Sequence, residues 1–158
     1  MTSRSVGRLA LGLVLLVGLS ACGGSTGPDP VTPTPMPSLA RFVLLQGPWP
    51  ALDPGDFALA DITFSTPGVG QATLNWTFAS NRVSVVIFSG LTCTQDDFVA
   101  FITNGSAAAC TPLGSTLAST TKPAVVTFNI AQAQGARVYV VNFGPTAESG
   151  TLLLTLQR

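Results

Sequence analysis

Gln71-Ala72-Thr73-Leu74-Asn75-Trp76-Thr77-Phe78 alternates without a break. Ala72, Leu74, Trp76 and Phe78 fall on one face, and Thr73, Asn75 and Thr77 on the other. That period of two marks a strand with one face in a core. Ser80-Asn81 supplies a turn, and Arg82–Ser89 follows. Within it, Val85-Val86-Ile87-Phe88 is apolar on both faces, which predicts a strand inside a sheet and covered on both sides.

Short β-type runs continue in both directions from this pair. Upstream, Arg41–Gln46 reads as a first strand, and Gly47-Pro48-Trp49-Pro50 is expected to end it, because proline removes a ladder donor. Phe57–Ser65 is the second strand, stopped by Pro67-Gly68. Downstream, Ala124–Ile130, Arg137–Phe143 and Thr151–Gln157 alternate again. Residues 90–122 carry the weakest pattern. Phe98, Phe101 and Ile102 have helical spacing, but Phe98-Val99-Ala100-Phe101-Ile102 reads better as a strand ended by Asn104-Gly105. Ser115–Thr121 reads as a hydroxyl-rich loop. Seven to eight strands and no long helical pattern predict an all-β fold, an antiparallel sandwich over residues 39–158, with a closed barrel as the competing architecture. The expected core is Leu74, Trp76, Phe78, Val85, Ile87, Val126, Phe128, Val140, Leu152 and Leu154.

The N-terminal part has a different character. Arg4 and Arg8 precede an apolar run from Leu9 to Leu19, and Leu19-Ser20-Ala21-Cys22 follows. A charged start, an apolar stretch too short to span a bilayer and small residues before the processing point are the parts of an export signal. With the cysteine, the arrangement resembles the lipobox of bacterial lipoproteins. The resemblance implies that residues 1–21 are removed and that Cys22 is lipidated. Several acyl chains give stable anchoring where one is marginal. Gly23, rather than Asp, after the cysteine leans towards the outer membrane in a Gram-negative host. Residues 22–38 then form a lipid-anchored linker. Pro28, Pro30, Pro33, Pro35 and Pro37 predict an extended stalk without helix or sheet.

A second resemblance rests on Gly70-Gln71-Ala72-Thr73-Leu74-Asn75-Trp76 running into Val83-Ser84-Val85-Val86-Ile87-Phe88, with Tyr139-Val140-Val141-Asn142 and Gly150-Thr151-Leu152-Leu153-Leu154-Thr155-Leu156 further on. These stretches resemble the bacterial pre-peptidase C-terminal domain family over about residues 55–157. Asn81 and Arg82 stand where that family has acids. The resemblance implies a jelly-roll-like sandwich, an accessory role beside enzymes, and no catalytic residues of its own. Some members bind calcium or polymeric substrates.

Charge and residue types narrow the function classes. After residue 21, five bases (Arg41, Arg82, Lys122, Arg137, Arg158) stand against seven acids (Asp29, Asp53, Asp56, Asp61, Asp96, Asp97, Glu148), a net charge of about −2. The bases are scattered, so nucleic acid is not an expected partner. The chain has no histidine, which excludes histidine-dependent nucleophilic devices. Cys93 and Cys110 are expected to pair in an oxidising compartment and to order a surface loop. Calcium takes oxygen ligands from loops. Asp53, Asp56, Asp96 and Asp97 are therefore its candidate ligands, with turn capping as their bland role. No other cofactor is expected. Trp49, between two prolines, is the candidate exposed aromatic for a ligand. The favoured expectation is a non-catalytic module of the cell envelope, tethered to a membrane by its lipid and facing a protein or polysaccharide. The alternative is an accessory domain or hydrolase that uses loop carboxylates on envelope polysaccharide or protein. Oligomeric state leaves no mark in this sequence.

Overall fold

The computed structural model describes residues 39–107 and 109–158. The expected signal, Cys22 and the proline-rich linker lie outside the described residues. The eight strands are β1 (Arg41–Leu52), β2 (Phe57–Phe64), β3 (Gly68–Trp76), β4 (Val83–Ser89), β5 (Thr111–Ser119), β6 (Ala124–Ile130), β7 (Gln134–Asn142) and β8 (Glu148–Gln157). One helix, α1 (Gln95–Asn104), joins β4 to β5. They form two four-stranded antiparallel sheets, ordered β1-β8-β3-β6 and β2-β7-β4-β5. Every strand pairs with its mirror in chain order: β1 with β8, β2 with β7, β3 with β6 and β4 with β5. The chain is thus one long hairpin, rolled so that β3 also meets β8 and β4 meets β7. This is the double-sheet arrangement of a jelly roll.

The main core lies between the sheets. Ala72, Leu74 and Trp76 enter it from β3, and Val83, Val85 and Ile87 from β4. Val126, Phe128, Val140, Leu152 and Leu154 complete it from the other strands, as their alternation predicts. A second core covers the opposite face of β4. There Val86 and Phe88 pack with Phe98 and Phe101 of α1 and with Tyr139 and Val141 of β7. Phe98 stacks on Tyr139 with ring centroids 4.3 Å apart and planes 2° from parallel. This explains why β4 is apolar on both faces: one meets the other sheet and the other meets a helix.

The structure corrects four sequence expectations. First, β1 does not stop at Gly47 but runs through Pro48 and Pro50 to Leu52. It is an edge strand, so a missing N–H on its outer side breaks no ladder bond. A register shift between Trp49 and Leu52 also absorbs Pro50. Second, Phe98–Ile102 is helical. Thr94 caps α1 and shares a capping box with Asp97, and Gly105 ends it at φ 76° with its N–H on the Phe101 carbonyl. These end signals outweigh the β-propensity of a short apolar run. Third, Ser115–Thr121 is not simply a loop, because β5 extends to Ser119. Its half-exposed polar side chains follow from its place at a sheet edge beside β4. Fourth, Phe78 is 52% exposed rather than in the core. The backbone leaves the ladder after Trp76, where the Thr77 and Phe78 amides turn to donate to the Glu148 carboxylate at 2.9 and 2.8 Å.

That carboxylate is buried and fully engaged. Asn81 Nδ2 and the Ser149 N–H also donate to it, each at 2.9 Å. Burial acts to raise its pKa, but the bonds from Asn81, Phe78, Thr77 and Ser149 together hold it below the ordinary carboxylate value. The disulfide Cys93–Cys110 closes with a Cα–Cα distance of 5.4 Å. Both cysteines are buried in the second core beside Phe98, Phe101 and Tyr139. The bridge therefore fastens the helical excursion to its sheet, and does not merely order a surface loop.

Two measurements test these features. Folded-state depression of the Glu148 pKa gives stability that is present above the unfolded value near 4.3 and lost as pH falls through the lower folded value. Glu148→Gln should cost about 2–3 kcal/mol in urea unfolding at pH 7, and the difference should shrink steadily below about pH 4. Reduction of Cys93–Cys110 removes about 3 kcal/mol by chain-entropy reasoning for this loop size. The melting temperature should fall by roughly 10 °C while most of the far-ultraviolet β-signal persists. Thiol counting on denatured, unreduced protein should find neither Cys93 nor Cys110 reactive.

Candidate functional site

The candidate calcium acids do not assemble. Asp53 and Asp56 flank the β1–β2 turn, where the Asp56 amide bonds the Asp53 carbonyl. That turn is tied to the end of β7 by Gly55 N–H to the Asn142 carbonyl, and Asn142 N–H to the Asp56 carbonyl. Asp96 and Asp97 are not in a loop but in the first turn of α1. The residue before its cap, Cys93, has its carbonyl bound by Arg137 Nη1 at 2.7 Å and by the Tyr139 hydroxyl at 3.1 Å. Arg137 and Asn142 are five residues apart on β7, so the two acidic pairs are held by different parts of that strand. Each acid has a local role in view. Asp97 accepts from the Thr94 hydroxyl and amide, which holds its carboxyl below the usual range. Acids in a first helical turn also suit the helix dipole.

Among the described residues, the group with three metal-type ligands close together is Cys93, Asp97 and Cys110. Both sulfurs are spent in the disulfide, and a metal needs thiolate. Nearby, Arg137 clamps Asp61 through two bonds, Nε to Oδ1 at 2.8 Å and Nη2 to Oδ2 at 2.9 Å. The Arg137 hydrogen bond holds the Asp61 carboxyl low, and Arg137 itself is raised further by Asp61. This cluster joins β2, β7 and the disulfide segment, a fastening role that single-residue reading of Asp61 and Arg137 did not anticipate.

Trp49 is buried rather than exposed. It pairs with Gly150 across β1 and β8, and its ring points into the main core. The flanking prolines suggested exposure because they read as a break in the strand, but an edge strand tolerates them. Trp49 also forms one wall of an apolar crevice of about 140 Å³ between β1 and β2. Lys122, the only lysine, donates to the Thr77 carbonyl at 2.9 Å and sits 5.6 Å over the Trp76 ring.

The surface that remains open is the outer face of the β1-β8-β3-β6 sheet. The other sheet has its outer face under α1. On that face the outward positions are Val43, Gln46 and Pro48 on β1, Thr151, Leu153, Thr155 and Gln157 on β8, Val69, Gln71, Thr73 and Asn75 on β3, and Val125, Thr127 and Asn129 on β6. Among the described residues, Arg41 at one end is the charged member of these rows. Gln46, Thr73, Asn75 and Thr151, together with Gly47, Pro48, Pro123, Leu152 and Leu153, line a shallow groove of about 650 Å³. Amides and hydroxyls there can donate and accept towards a neutral polar ligand. Alternation placed Thr73 and Asn75 on the outer face, but their convergence with Gln46 and Thr151 needed the register between strands. No family model matches this chain, and no curated protein matches it.

Proposed function

We propose that the chain is a lipid-anchored envelope protein whose sandwich is a non-catalytic module that binds a neutral polysaccharide. The observation that carries the binding part is the uncharged sheet face with its groove, where Gln46, Thr73, Asn75 and Thr151 stand beside Leu153, Pro48 and Pro123. Polyhydroxylated polymers offer many weak hydrogen bonds and no charge, and such a face matches both properties. The anchor part rests on Leu19-Ser20-Ala21-Cys22 after the apolar run, with the proline-rich stretch behind it. In this reading the sandwich is of the pre-peptidase C-terminal kind, an accessory domain rather than an enzyme. The hydrolase alternative calls on carboxylates that face one another across a substrate. Asp53 and Asp56 lie at the β1–β2 turn, and Asp96 and Asp97 in the first turn of α1. Asp61 is clamped by Arg137 and Glu148 is held by four donors, so each acid has a structural role that favours the non-catalytic reading.

Two separate readouts test this. Electrophoresis of the purified protein through gels containing neutral polysaccharides should show retardation by at least one polymer, abolished by Thr73→Ala with Asn75→Ala. Unchanged mobility across the panel would end the binding part. Cys22→Ser should release the protein from the membrane fraction, and intact mass should place the mature N-terminus at residue 22 with added acyl mass. A mature chain that starts elsewhere would end the anchor part and leave the binding result standing.

A further inference from the structure

The crevice between β1 and β2 has a simple cause, a missing side chain. Gly47 pairs with Leu152, which points into the core, so position 47 faces inward between Leu45 and Trp49. A Cβ built there meets no atom within 4 Å. The Gly47 backbone is outside the left-handed region, so its conformation does not demand glycine. Glycine inside a strand weakens it and often marks a place where something else approaches closely. Here it leaves a hollow walled by Leu45, Trp49, Ala58, Val138, Val140 and Leu152. The hollow, about 140 Å³, is close to the ~150 Å³ cavity that accepts benzene. It fits one Phe or Leu side chain and is too small for a long acyl chain.

The strand beside it has an unused edge. Among the described residues β2 pairs with β7 alone, so its outer N–H and C=O groups have no strand partner there. Such a row is a template for another chain unless it is blocked. β1 is blocked by Pro48 and Pro50, but β2, Phe57 to Phe64, contains no proline. On β2, Ala58 and Ala60 face the crevice opposite Val140 and Val138, and the position between them, Leu59, shares the outer face with Tyr139. The indole N–H of Trp49, in the crevice wall, is buried and has no acceptor among the described residues.

We propose that the β1–β2 seam binds an extended peptide segment of a partner protein, whose main chain adds to the free edge of β2 and whose one apolar side chain fills the hollow over Gly47. An edge that supplies main-chain bonds and a pocket that selects one side chain is the general logic of strand addition. The crevice adjoins the groove, with Gly47, Pro48 and Leu152 common to both, but the proposal does not depend on lipidation or on polysaccharide binding.

The test uses the purified full chain and a seven-residue acetylated peptide of alternating Thr and Val with Phe at its centre. Counterparts with Asp and Gly at the centre serve as controls. The Phe peptide should bind saturably, change tryptophan emission and slow hydrogen exchange of β2 amides. The Asp peptide should bind at least about tenfold more weakly, as expected for loss of one buried apolar side chain. Gly47→Leu places the chain's own side chain in the hollow, so it should lose peptide binding at least about tenfold while the melting temperature holds or rises. If that variant does not fold, Ala60→Leu, which fills the crevice from its β2 wall, should weaken binding without lowering the melting temperature. The proposal fails if no saturable binding occurs, if the three peptides bind equally, or if a folded variant binds as tightly as the parent. It also fails if β2 amides are already protected in a dimer of this chain, because a second copy would then hold the edge.

Discussion

The buried carboxylate of Glu148 sets where one end of the sandwich closes. A charge taken from water needs its lone pairs filled, and the four donors around Glu148 come from three places: the end of β3, the turn to β4, and β8 itself. The network continues outward. Asn81 Nδ2 also donates to the Thr146 carbonyl, and Asn142 Nδ2 donates to the carbonyls of Thr146 and Leu52. Lys122 reaches the Thr77 carbonyl from the β5–β6 connection. All four connections at this end are thereby tied to one polar cluster, most of it withdrawn from solvent. An apolar core cannot do this, because apolar contacts have no direction and would leave turn amides unpaired.

The same cluster explains why part of the fold was legible in one dimension and part was not. Where a strand has one face in a core, period-two alternation reports it. That held for β3, for β6 from Ala124 to Ile130, and for the inward Leu152 and Leu154 of β8. Phe78 kept the alternation but lost the burial, because the amide before it and its own amide were claimed by Glu148, a residue 70 positions away in sequence. Nothing local distinguishes Glu148 from a solvated turn acid. α1 was misread for a different reason. Five apolar residues fit either period, and the information lay in the ends: Thr94 and Asp97 three apart, and Gly105 after Asn104. Trp49 was misplaced because prolines on both sides suggest a break, whereas an edge strand tolerates them on its free side. The groove is legible only in two dimensions, since Gln46, Thr73 and Thr151 become neighbours through register.

The two sheets have been made unequal. Both contribute to the core between them, yet one bears a helix on its back and the other bears water. The difference follows from the tip of the long hairpin. The link from β4 to β5 is long enough to fold over its own sheet and bring Phe98 and Phe101 down onto Phe88 and Tyr139. Its return is pinned by the disulfide. Among the described residues, the β1-β8-β3-β6 sheet receives no such excursion, and its outward positions combine hydroxyls and amides with exposed Val43, Val69 and Val125 rather than with charge. Neutral polarity keeps that face wet without the long-range field that a row of Lys or Glu would impose.

The ends of the described chain then give the molecule a direction. Ala40 and Arg158 exchange both backbone bonds, at 2.9 and 3.1 Å, so the strand that begins the domain and the strand that ends it meet at one end. β1 carries the chain from there to Leu52, and the polar cluster around Glu148, Asn81 and Asn142 lies at the other end. Any tether that leads into Leu39 therefore joins the end away from that cluster. The seam at Gly47 and the groove at Thr73 and Asn75 both flank β1 along its length. A ligand on either one approaches the side of the sandwich rather than its tip.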